Sequence, residues 1–247
     1  VASGPFPLAP LAEPVPLRAA FAGALMPIPL GTAICGFAPG GKPPSPYTDQ
    51  FPGTKHIYQH PTIRLVALEG GQERLLIIRF DLVGVNPDLL RRVEEDLSVA
   101  TGYDWHGHII ANASHTHSGT GRLGNSAIWD LMSDTFFPAL FERMVAATVA
   151  MAMEALTRLE PAQFGYGVVE TDALHNDRRC ENPDVQDDRL HLFRFDRADG
   201  SPMGLFMVHS VHGTILDADE RHISRDAIGG IEDKVKESFD SEVEVFM

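Results

Sequence analysis

Two histidines, His115 and His117, stand one residue apart in the stretch HIIANASHTHSGTG, residues 108–121. An apolar run leads into them and a Ser-Gly-Thr-Gly turn follows at once. Alternate residues of a strand face the same way, so this spacing lets both imidazoles leave a strand end on one side. Neutral imidazole is the commonest protein ligand for metals such as zinc, and loops just past a buried strand often carry the reactive groups. A second stretch, VHSVHGTIL, repeats the pattern of apolar strand, histidine, small residue and hydroxyl. There His212, just before Gly213-Thr214, has the freer geometry, while His209 reads as a structural histidine. Hydrolytic zinc usually keeps three protein ligands and leaves one position for water. The chemistry this pattern offers is metal-assisted hydrolysis.

The elements that must position these histidines follow from periodicity. Residues 62–69 and 74–82 read as two strands joined by a turn at Glu69-Gly70-Gly71-Gln72, a hairpin. Asn86-Pro87-Asp88 is a helix start, with Leu89, Leu90, Val93 and Leu97 at helical spacing to about residue 101. Strand 108–114 then delivers the histidines, so the order is strand, helix, strand. That βαβ-like unit puts the site at a strand's carboxyl end, where open α/β sheets place their ligands. Residues 126–158 read as helix, broken near Pro138, with methionines as core filler. Strands recur at 162–170, 190–196 and 203–210; a helix near 228–239 and a strand at 242–247 close the chain. The fold class expected is α/β, a layered domain of mixed β-sheet flanked by helices. Residues 1–30 read as an irregular lead-in arm, and the Pro/Gly-rich stretch 33–57 as an irregular loop.

Composition bounds the partners. Acidic residues outnumber basic ones by 34 − 20 = 14, which argues against a nucleic-acid surface or an anionic membrane. No run approaches the roughly 20 apolar residues of a transmembrane segment. Two cysteines, Cys35 and Cys180, allow at most one disulfide and exclude a cysteine-rich zinc site. The chain opens on Val1 and stops at Met247 within a strand-like SEVEVFM, so it reads as a piece of something longer.

The ordered motifs resemble the neutral/alkaline ceramidase family. Ser114-His115-Thr116-His117-Ser118-Gly119-Thr120-Gly121 is similar to the family's THTHSGPGG, and Val211-His212-Gly213-Thr214-Ile215-Leu216 to its VHPTSM. Between them Asn176-Asp177-Arg178-Arg179 and Asn182-Pro183 echo an Asn-Arg motif followed by Asn-Pro. Gly36-Phe37, the segment His60 to Leu65, Arg79-Phe80-Asp81 and Ser224-Arg225-Asp226 match further steps in order, over about residues 30–247.

The resemblance implies a zinc-dependent amidase acting on an N-acyl compound, a ceramide-like lipid or another amide such as a peptide. It implies His115 and His212 as metal ligands, His117 as a hydrogen-bonding or proton-handling residue, and Arg178 or Arg179 as positive charge at the site. It alone favours an exported protein, and it places His60 near the site; Asp81 reads either as a support of the site or merely as the cap of a strand end. Three departures stand out: Thr120 replaces a proline, Asp177 interrupts the Asn-Arg pair, and the family's Glu and Tyr ligands and its serine find no match before Met247. On the resemblance the chain is therefore the N-terminal portion of one catalytic domain and carries half of an active site, with the rest beyond Met247 or on a second polypeptide. The competing readings are a non-catalytic or partner subunit that keeps the fold, and an unrelated His-x-His metallohydrolase such as a barrel amidohydrolase.

Overall fold

The computed structural model describes residues 15–37, 45–171, 187–217, 219, 221–240 and 242–247. Strand β1 spans Leu17–Leu25, β2 His56–Ile57, β3 Thr62–Gly70 and β4 Glu73–Phe80. Helix α1 spans Pro87–Thr101, and strand β5 follows at Ile109–Ala113. Helices α2 (Ala127–Ser133) and α3 (Pro138–Thr157) precede the strands β6 (Glu160–Glu170), β7 (Arg189–Arg197) and β8 (Pro202–Val208). Strand β9 (His222–Ile223), helix α4 (Asp226–Lys236) and strand β10 (Glu244–Phe246) complete the order.

The hairpin and the crossover form as the periodicity predicts. β3 and β4 pair antiparallel from Gly70↔Glu73 to Ile63↔Phe80. Asn86 caps α1 by accepting the Asp88 amide at 2.7 Å, and Gly102, at φ 71°, ends it in the left-handed conformation. Leu89, Val93 and Leu97 are the buried stripe of α1, and β5 returns parallel to β4. The long helical stretch splits before Pro138, which opens α3.

Residues 17–25 correct the expected irregular arm over 1–30. They form a nine-residue strand that pairs along its whole length with β3, from Leu17↔Gly70 to Leu25↔Thr62. The sequence LRAAFAGAL hides this, because alanine and glycine are poor strand formers and the segment is buried on both faces. The eight-stranded sheet runs β10-β8-β7-β6-β1-β3-β4-β5, with parallel pairs β10–β8 and β4–β5 and the rest antiparallel. Residues 56–57 depart from the irregular reading of 33–57 by forming a short parallel ladder, β2–β9.

Three apolar layers show how the sheet bends. α1 and α3 cover one face of β1, β3, β4 and β5 through Leu89, Leu97, Met144, Val145 and Met151. The other face of these strands meets β7, β8 and β10, bringing Phe21, Val66 and Ile77 against Phe195, Phe206 and Phe246. α4 then covers the far side of β8 and β10 through Ile228. The order is thus helix, sheet, sheet, helix, with the carboxyl ends of β5 and β8 brought together at one edge. Among the described residues no single helix is long and apolar enough to cross a bilayer.

Candidate metal centre

His115 and His117 lie beyond the end of β5, and the backbone aims them by a turn rather than by strand alternation. His115 is left-handed at φ 59°, a conformation costly for a non-glycine residue and held only by its surroundings. Thr116 between them is fully buried and donates from Oγ1 to the Ser224 carbonyl at 3.0 Å. The amide of His117 donates to the Gly213 carbonyl at 3.0 Å, which ties the first histidine loop to the second. A side chain at Gly213 would stand 2.8 Å from the His115 carbonyl, so glycine lets the two loops touch. Asp226 fixes the far end of the second loop by accepting from the amides of Ile215 and Leu216 at 3.1 Å each.

The result is a convergence of His115, His117 and His212, each with a ring nitrogen within 4.8 Å of the others. Ring centroids are 5.0 Å apart for His115–His117 and 4.8 Å for each of their pairs with His212. Among the described residues this is the only group of three or more His, Cys, Asp or Glu side chains disposed to hold a metal ion. Nδ1 of His115 donates to the Val83 carbonyl at 2.7 Å, which leaves Nε2 with its lone pair facing the cluster. The Nε2 atoms of His115 and His117 are 3.4 Å apart. Imidazole nitrogens gathered within 4.8 Å of one another are a donor set of the kind that zinc takes.

Burial, and then the nearby His115 and His212, push the His117 imidazole down to about 4, with the Gly36 backbone and Asp226 acting weakly the other way. A neutral ring is the form that binds metal or accepts a proton. Phe37 packs edge-on against it at 5.1 Å, and Gly36, at φ 95°, passes so close that a β-carbon there would stand 2.5 Å from Nδ1. A cleft of about 170 Å³ opens beside His115 between the ends of β5 and β8, lined by Asn112, Met207, His209, Ile228 and Met247.

The remaining candidates fall elsewhere. Arg178 and Arg179 lie outside the described residues, as do Asn176, Asp177 and Asn182-Pro183. His209 turns Nδ1 toward the Arg189 carbonyl at 3.2 Å, in keeping with a structural histidine. His60 faces the Pro61 carbonyl at 3.1 Å, His106 faces Asp104, and His108 faces the Arg74 carbonyl and Tyr103. His56 and His222 meet edge to face across the β2–β9 ladder, ring centroids 5.4 Å apart. Asp81 is fully buried, ion-paired with Arg79, and accepts from Thr62 and Ser114. Thr120, where the family has proline, bridges to Ile34 in the lead-in loop and donates to Thr32 at 3.3 Å. The sequence held no sign of the Val83 contact, since a backbone carbonyl carries no residue signature.

Comparison with known proteins agrees with this architecture. Residues 63–244 match the family described as neutral/alkaline non-lysosomal ceramidase, N-terminal. A neutral ceramidase of Pseudomonas aeruginosa is 28% identical over 132 residues, covering 49% of this chain and 20% of that protein. The crystal structure of a neutral ceramidase from Pseudomonas aeruginosa superposes with a TM-score of 0.79 at 21% identity, over 95% of this chain and 38% of that one. A ceramidase complexed with C2 gives 0.77 at 20% identity, over 94% and 37%. The chain thus spans about a fifth of the curated relative's length, and at these identities the structural matches speak for the fold alone.

Proposed function

Because this chain belongs to the neutral/alkaline non-lysosomal ceramidase family, we propose that it supplies the metal-binding face of a zinc-dependent hydrolase that cleaves the amide of a ceramide-like N-acyl lipid. The observation that carries this reading is the convergence of His115, His117 and His212 at the joined ends of β5 and β8. Zinc supplies Lewis acidity toward an amide carbonyl and toward water. His115, anchored through Nδ1 to Val83, and His212 are the residues that hold it. His117, kept neutral by burial, takes or gives the proton that amide cleavage must move. An arginine of the Arg178-Arg179 pair supplies positive charge toward the developing oxyanion. A second polypeptide finds no support in the comparisons.

Metal analysis tests it. The purified protein should hold zinc in a one-to-one ratio, and His115→Ala and His212→Ala should each lose it. His117→Ala should retain zinc; loss of zinc instead would make His117 a ligand. Zinc-free protein, or zinc retained in both ligand variants, would overturn the assignment, and the chain would then be a non-catalytic relative that keeps the fold.

A further inference from the structure

We infer that Asp81 is a positioning residue for the metal centre, bracing the His-x-His segment at both ends; this rests on the metal-site reading above. Its carboxylate accepts the Ser114 hydroxyl at 3.0 Å, immediately before His115. Its carbonyl oxygen forms the floor under Gly119, two residues past His117, where a β-carbon would stand 2.4 Å away. Two residues on, the Val83 carbonyl takes Nδ1 of His115. The short run Asp81–Val83 therefore meets the histidine turn before, at and after its ligands.

The brace is itself fixed. Thr62 donates to the Asp81 carboxylate from its amide at 2.7 Å and from Oγ1 at 2.8 Å, and Arg79 pairs with it. Arg79 also pairs with Glu232 of α4, which accepts the Met247 amide at 2.8 Å and faces Arg225 at 3.4 Å. Asp81, Arg79 and Glu232 are at most 1% exposed, so solvent does not soften these contacts. The left-handed His115 needs such over-determination, because outer partners of metal ligands typically set affinity by 10–100-fold.

Ser114 gives the test, since its hydroxyl touches the brace without touching the metal. Ser114→Ala should fold, weaken zinc binding about tenfold or more, and alter the visible absorption of the cobalt-substituted protein. Ser114→Thr, which keeps the hydroxyl, should restore both. Should the alanine variant not fold, Ser114→Val against Ser114→Thr compares methyl with hydroxyl at equal volume. Native zinc affinity and a native cobalt spectrum in the alanine or valine variant would overturn the brace. Failure of the unaltered chain to bind cobalt or zinc would instead remove the metal-site reading, and the brace with it.

Discussion

Gly36 lies so close to His117 that a β-carbon at position 36 would sit 2.5 Å from the ring's Nδ1 and 2.7 Å from Cε1. No real β-carbon tolerates such contacts, and the φ of 95° is one that side chains rarely adopt. Gly36→Ala should therefore push the His117 ring out of the cluster and destabilise the fold by about 1–3 kcal/mol. Zinc titration should still read near-native affinity, because His115 and His212 hold the ion, and chemical denaturation reads the loss of stability. Native stability in the variant would contradict the close approach of Gly36 to the ring.

His117 should also make the metal-free protein sensitive to acid. Its folded-state pKa, about 4, lies below the ordinary 6.5. Between those values the unfolded chain binds a proton that the folded chain refuses, so stability rises with pH across the window. Its contribution is complete above about pH 6.5 and declines as pH falls toward 4. Urea denaturation of metal-stripped protein at several pH values should show this slope, and His117→Gln should flatten it. A wild-type slope that survives the substitution unchanged would place the effect on other groups.

Cys35 should be inert in the native state. It is 2% exposed, and burial raises its thiol to about 12, only partly offset by the Ser133 hydrogen bond. Thiolate is the reactive form, so iodoacetamide at pH 8 should leave the Cys35 peptide unmodified until denaturant is added. Peptide mapping by mass spectrometry checks this, and rapid native alkylation would contradict the packing of the lead-in loop against the site.

Glu232→Gln should cost less than the roughly 3–5 kcal/mol of a fully stranded buried charge, because Arg79 keeps its pair with Asp81. Arg79→Met should cost more, about 3–5 kcal/mol, because it strands both Asp81 and Glu232, while the Arg79→Met/Glu232→Met pair should recover only the share due to Glu232, Asp81 remaining unpaired. A double-mutant cycle in urea measures the coupling. Additive losses would show that the two residues act independently.

What the sequence determined by itself is local. The Gly70-Gly71 turn, the Asn86 cap and the apolar stripe of α1 all follow from residue type and near spacing, and each formed where periodicity placed it. The motif order also pointed to the family that residues 63–244 match. Tertiary structure decided the rest, because the deciding contacts join residues far apart in the chain. β1 is a strand only because β3 pairs with it and the layers on either side bury its alanines; alone, its composition argues for no strand. His212 meets His115 only because the sheet folds its two halves face to face, bringing the ends of β5 and β8 together. Gly36, Val83 and Asp81 serve the site through backbone approach and buried hydrogen bonds. Such contacts are set by distance across the fold, and spacing along the chain does not encode them.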